Sequence, residues 1–245
     1  MIRVADIFAF LDEKAPLATA EPWDNPGLLV GQKEAPVRTV LTALDITPDV
    51  VRQAGEAGAQ LIVAHHPVIF HPLSRLPAGH PAALLAAAGI SALCWHTNLD
   101  KAPGGVADTL AAALELTDVA APDGYVRIGR LPQRCEPAVF TAKVNEQLRT
   151  RCRGCSGTRP VETVAVFGGA LDEESLPAMA AADAVVFGEC KHHVRLELAR
   201  SGQTVCEAGH FATEQAIAGV LADWLREAFP QLTVVTARER APFIG

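Results

Sequence analysis

The feature that most constrains this chain is an alternation. Short apolar, β-prone runs at about 38–45, 60–64, 90–95, 161–167, 183–187, 203–207 and 232–236 are separated by alanine-rich helical stretches at about 48–58, 79–88, 105–115, 171–181, 191–201 and 212–228. Strand and helix in regular succession predict an α/β fold with largely parallel sheet and helices on its faces. Ahead of the alternation, Val4, Ile7, Phe8 and Leu11 fall at i, i+3, i+4 and i+7, one apolar helix face closed by Pro16. A less regular middle from Asp118 to Pro160, with Pro122, Gly124, Pro132, Pro137, Gly154 and Gly157 and one helical stretch near 138–150, reads as a join. Each half shows strand, helix, strand and then a histidine-bearing turn. The expectation is two similar α/β lobes with mostly parallel sheets: residues 1–120, completed by C-terminal residues, and residues 121–245, the connecting segment with the second lobe.

Composition narrows the class. A chain of 245 residues, 49% hydrophobic and 20% charged, can bury about three quarters of its unfolded surface, which excludes disorder and collagen-like repeats. No apolar run approaches the length that spans a bilayer, and MIRVADIFAFLDEK carries acids where the apolar stretch of a signal peptide would continue, so a cytoplasmic protein without membrane contact is expected. A net charge of −7 with no lysine or arginine block argues against a nucleic-acid partner and leaves room for a nucleotide-sized ligand. The six cysteines read as free thiols. Cys152 and Cys155 have the spacing of half a zinc site, but no second pair completes it and flanking arginines suggest a solvated loop.

The chemistry lies in the histidines, most of which fall just past the carboxyl end of a predicted strand, where open α/β sheets place their ligands. LIVAHHPVIF ends in His65 and His66, whose side chains point in opposite directions if the backbone stays extended, so that the two do not easily share one metal but can each serve a different one. ISALCWHTNLD supplies His96 and Asp100; AVVFGECKHH supplies Glu189, Lys191, His192 and His193; TVCEAGHFATE supplies His210 and Glu214, which share a face if a helix starts near His210. Imidazoles mixed with carboxylates suit zinc, iron, manganese, cobalt or nickel, whereas calcium and magnesium prefer oxygen alone. A carboxylate can bridge two cations, so His65, His66, Asp100, His210 and Glu214 together could hold two divalent ions. Such a pair lowers the pKa of a bridging water and supplies hydroxide at neutral pH, which is hydrolase chemistry. Against this, a single histidine at a strand end more commonly caps or hydrogen-bonds than binds metal.

The strings WDNPGLLVG (23–31), LDITP (44–48), LIVAHHPVIF (61–70), HTNLDKAPGGVADTLA (96–111), FGECKHH (187–193) and AGHFATE (208–214) resemble, in order, the signatures of the GTP cyclohydrolase 1 type 2 homologue family, the NIF-three-like dinuclear-metal proteins. The resemblance covers nearly the whole chain. It implies a two-lobed α/β subunit, a metal cleft between the lobes and a toroidal homo-hexamer. It also implies that His66 and Asp100 hold one metal, His65 and His210 the other, and that Glu214 bridges both. His96 then either supports the ligands or transfers protons beside them, and Glu189, His192 and His193 lie near the centre without supplying its main ligands. The chain departs from the family at Phe187, where a small hydroxyl residue is usual, and in VFGGALDEE (166–174), which lacks a further glycine. Both departures are expected to reshape the pocket wall.

Smaller motifs admit bland readings as well. Asp24 and Asn25 sit in a turn set by Pro26 and Gly27, where they either cap backbone groups or line the metal cleft. Gly168 and Gly169 read as a helix start or a phosphate turn. The leading functional expectation is a metal-dependent hydrolase of a small nucleotide-like or heterocyclic substrate, with His96, Glu189 or His192 passing protons. A di-metal phosphoesterase is the nearest enzymatic rival, and a non-catalytic metal-binding scaffold or regulator is the alternative from another class.

Overall fold

The computed structural model describes residues 1–242. In chain order the elements are α1 (Val4–Lys14), β1 (Gly27–Val30), β2 (Thr39–Ala43), α2 (Pro48–Glu56), β3 (Leu61–Ala64), α3 (Pro81–Ala88), β4 (Ser91–Cys94) and α4 (Thr97–Lys101). There follow α5 (Val106–Ala113), β5 (Thr117–Ala120), β6 (Arg127–Cys135), α6 (Pro137–Gln147), β7 (Arg153–Cys155), β8 (Val161–Leu171) and α7 (Leu176–Met179). The chain ends with β9 (Ala184–Cys190), α8 (His192–Arg200), β10 (Thr204–Glu207), α9 (His210–Glu214), α10 (Ile217–Ala228) and β11 (Thr233–Thr236). Contacts divide it into two units, one of Met1–Gly105 with Ile217–Arg240 and one built on Val106–Ala216. The sequence reading sets the boundary near residue 120; α5 goes with the second unit because its Leu110 and Ala111 pack into the core that holds Val164 and Val166.

The first unit has a five-stranded sheet in the order β1-β4-β3-β2-β11. β4, β3, β2 and β11 are parallel and β1 joins antiparallel at the edge. LIVA of β3 and SALC of β4 are buried at every position, as expected for strands covered on both faces. The α1 face predicted from spacing is buried at Val4, Ile7 and Leu11. α2 starts where Thr47 accepts from the Val50 amide and Pro48 takes the first turn, where no donor is needed. α3 stops at Gly89, whose φ of 68° is the left-handed cap.

The second unit has a six-stranded sheet in the order β5-β6-β8-β9-β10-β7. Its centre, β8-β9-β10, is parallel, and its flanks, β5-β6-β8 and β10-β7, are antiparallel. Alternate residues separate two cores: Val164, Val166, Ala184, Val186 and Cys206 on one face, Ala165, Phe167, Val185, Phe187 and Val205 on the other. The irregular middle of the sequence therefore contains β5, β6 and β7 as well as the expected helix. β6 escapes a pattern reading because RIGRLPQRC interrupts its apolar positions with arginine, glycine and proline, and Pro132 lies where its pairing with β8 shifts register. All six cysteines are free. Cys155 is exposed, while Cys152 packs against the core containing Cys206, so the two do not form half a zinc site.

Candidate metal centre

Register explains why distant residues meet in the first unit. Parallel pairing sets Ala43 beside Ala64 and Ala64 beside Cys94. Two residues further on, Asp45, His66 and His96 come level at the carboxyl edge of the sheet. The chain bends at His65 and His66, so strand alternation no longer applies there. Contrary to the expectation that these rings point apart, their centroids are 4.8 Å apart and tilted by 38°. His96 stands 5.3 Å from the His65 ring and 5.6 Å from the His66 ring. A ring nitrogen from each of the three lies within 4.8 Å of the others.

Each of these rings is oriented by an oxygen that can only accept. His65 Nδ1 meets the Trp95 carbonyl at 2.9 Å, His66 Nδ1 meets Asp45 Oδ1 at 2.8 Å, and His96 Nδ1 meets Asp24 Oδ1 at 2.7 Å. Nδ1 therefore carries the proton, and in the neutral ring the lone pair sits on Nε2. That is how proteins present imidazole to a metal. Asp100 reaches the same place from α4, which follows β4 directly. Its Oδ1 is shut off from solvent without accepting a hydrogen bond, 3.4 Å from His65 Nε2. Two lone pairs facing each other in a buried setting are unfavourable until a cation or proton lies with them. The donor set and this orphaned oxygen fit a divalent transition ion.

The second unit arranges its residues around glycines. β8 bulges between Phe167 and Ala170, so Gly168 and Gly169 are inside a strand, not at a helix start or phosphate turn as the sequence suggested. A Cβ on Gly169, whose φ is +67°, would fall 2.2 Å from Glu214 Oε1 and 3.1 Å from His210 Nε2. One on Gly188 would fall 2.3 Å from the Gly169 carbonyl oxygen. The missing side chains leave a cradle for the His210–Glu214 pair. α9 starts at His210, as expected, and its i, i+4 spacing sets His210 Nε2 3.0 Å from Glu214 Oε2. His210 Nδ1 meets Glu189 Oε1 at 3.1 Å, the same orientation as in the other three histidines.

Of the residues expected to pass protons, His96 is in the histidine cluster. Glu189 is committed to orienting His210, and His192 is exposed at the first position of α8, beside a His193 whose Nε2 meets Glu173 at 3.0 Å. Phe187 is fully buried in the core with Phe167 and Val185, so it is no part of a pocket wall as expected.

Sequence reasoning did not pair the carboxylates with the histidines they hold. Asp24 caps a backbone group, one of the two readings open to it, accepting from the Thr97 amide at 3.0 Å and hydroxyl at 2.5 Å, and it also holds His96. Burial alone would raise its carboxyl, but hydrogen bonds from His96 and Thr97, with the His96 charge, outweigh that and lower it to about 2. Asp45 falls in the LDITP string, and parallel register was the signal that could have found it. Glu239 lies in no motif, and only the β11–β2 register brings it level with Asp45: from beyond β11 it accepts the Leu44 and Asp45 amides at 2.7 and 2.8 Å, fixing the backbone that carries Asp45.

Known proteins resemble this chain in sequence and in fold. The family model described as Duf34/NIF3 (NGG1p interacting factor 3) matches residues 2–242. A Streptomyces coelicolor protein named GTP cyclohydrolase 1 type 2 homolog is 32% identical over 234 residues, 87% of this chain and 82% of its own. A Staphylococcus aureus protein of the same name is 41% identical over 121 residues, 48% of this chain; the match spans only 33% of that relative's length. The crystal structure of a Bacillus cereus protein related to NIF3 superposes with a TM-score of 0.92, covering 100% of this chain and 99% of that one at 21% identity, which speaks for the fold alone.

Proposed function

Since this chain belongs to the Duf34/NIF3 family, we propose that it is a dinuclear metal-binding protein and a metal-dependent hydrolase of a small nucleotide-like or heterocyclic substrate. In this reading His65, His66, Asp100, His210 and Glu214 supply the ligands. The observation that carries it is the common orientation of four histidines, each with Nδ1 held by a carbonyl or carboxylate oxygen. A histidine serving only packing or capping does not require that. His80, which caps α3, is turned the other way and accepts through Nδ1 from the Ala82 amide at 3.1 Å.

Bound to such ligands, two divalent ions supply Lewis acidity and a nucleophile at neutral pH. The chain's own residues supply the rest. Asp24, its side chain wholly buried, holds the His96 Nδ1–H, which leaves Nε2 of His96 as the atom that accepts and returns a proton. Glu189 fixes the tautomer of His210, and His192 is a further proton carrier on the rim. The names of the relatives suggest GTP as the first substrate class to screen, and phosphoesters the second. We also propose the homo-hexamer that the family resemblance implies.

Metal content tests the reading. Protein purified without chelator or affinity nickel is expected to carry about two transition ions per chain. Substituting His65 and His66 together by Ala should abolish binding, and Glu214→Ala should lower the stoichiometry. An unchanged stoichiometry in Glu214→Ala refutes the ligand set, and metal-loaded protein inert toward nucleotides, heterocycles and phosphoesters refutes the hydrolase. Light scattering that returns a 26 kDa particle refutes the hexamer.

A further inference from the structure

Beside the histidine cluster the first unit holds two large aromatic side chains that its core does not use. Trp23 is 59% exposed and Phe70 38%. Their ring centroids are 6.0 Å apart at 55°, and they stand 6.4 and 6.1 Å from the His96 ring. Neither rides on a loose loop. Asp24, next to Trp23, is fixed by His96 and Thr97, and Asn25 donates through Nδ2 to the Ile69 carbonyl at 2.6 Å, tying the turn to the residue before Phe70. An indole kept in water by an anchored turn forgoes the burial that makes aromatic residues useful to a core. Rigid exposed rings beside reactive polar groups are the ordinary make-up of a ligand pocket.

We infer that Trp23 and Phe70 form a ring-binding corner that takes a flat aromatic heterocycle by its face, which makes the ligand a base-like ring and not a ring-free phosphoester. The inference rests on reading the histidine cluster as a metal-dependent reaction site. Stacking on an aromatic face needs no charge and tolerates any flat ring. The 55° tilt makes a corner instead of a parallel slot, so a ligand ring lying on the indole face meets the Phe70 ring at an angle. A ring-free phosphoester offers no face to either ring, so the two aromatic side chains give it nothing that they give a flat heterocycle.

The test is calorimetric titration of the full, metal-loaded chain with guanosine as the flat probe and ribose 5-phosphate as the ring-free one. Guanosine should bind the tighter, and Trp23→Leu should weaken it about five- to a hundredfold with metal content unchanged. Phe70→Leu should weaken it less, and neither variant should alter ribose 5-phosphate binding. Guanosine that binds no tighter than ribose 5-phosphate overturns the inference, as does wild-type affinity in Trp23→Leu. So does a Trp23→Leu protein changed only in its mass by light scattering, because the ring then belongs to an interface between copies of the chain. Metal analysis of the same samples separates the two readings. Two ions per chain without guanosine binding sinks the corner alone, and Trp23-dependent guanosine binding by protein that takes up no metal sinks the reaction site alone.

Discussion

Gly169→Ala is the sharpest test of the glycine cradle. Two costs follow from the geometry. At φ +67° an alanine pays the left-handed penalty of about 1–2 kcal/mol. Its Cβ would also lie 2.2 Å from Glu214 Oε1, more than an ångström inside ordinary contact, and Glu214 is only 4% exposed, so the carboxylate has little room to retreat. Crowding of a packed site adds about 1–3 kcal/mol. The sum, about 2–5 kcal/mol, corresponds to a melting temperature lower by roughly 5–15 °C in a chain of this size. If Glu214 moves, metal affinity should fall by at least the ten- to hundredfold typical of disturbed ligand support. Gly58→Ala is the matched control, with φ +63° and nothing within 4 Å of the added methyl, so it carries the backbone strain alone. Thermal denaturation and zinc titration of both variants separate the costs. A Gly169→Ala protein that melts with Gly58→Ala and binds zinc like wild type would refute the argument that this glycine makes room for a ligand.

Three further outcomes are expected. The Asp24 carboxyl sits at about 2 in the folded protein against an ordinary 3.8, so its roughly 2 kcal/mol of stabilisation is complete above pH 4 and lost as pH falls toward 2; acid titration of Asp24→Asn should lack that part of the slope, and an identical acid profile refutes it. Glu239→Ala should weaken cobalt binding about tenfold by releasing the Leu44–Asp45 backbone behind His66, with partial recovery in Glu239→Gln; a loss of melting temperature with cobalt affinity intact would make Glu239 merely structural. Phe187→Ala should cost about 3–5 kcal/mol by denaturant unfolding and leave metal stoichiometry unchanged, since the side chain is wholly buried in the core.

What was legible in the sequence, and what was not, follows the range of the interactions. The parallel strands announced themselves because burial on both faces demands continuous apolar runs such as LIVA and SALC. The antiparallel flank did not. RIGRLPQRC has one wet side and a register shift, and its pairing with β8 is set by a partner about thirty residues away. The helix expected over 212–228 is two helices, α9 and α10, because composition is blind to the break at Gln215 and Ala216.

The same division runs through the candidate ligands. HHP, HTNLD and GHFATE are local strings, and they mark His65, His66, Asp100, His210 and Glu214 as candidates without help from the fold. The groups behind them act across the chain: Asp24 on His96 over 72 residues, Asp45 on His66 over 21, and Glu239 on Leu44 over 195. Only sheet register makes them neighbours. The expectation that His65 and His66 diverge failed for a related reason. It applied strand alternation to residues just past the strand's end, where the bend leaves the two rings 4.8 Å apart. Since α/β sheets place their chemistry beyond the carboxyl ends of strands, side-chain directions there have to be derived from the oxygens that hold each ring, and the strand's period of two does not supply them.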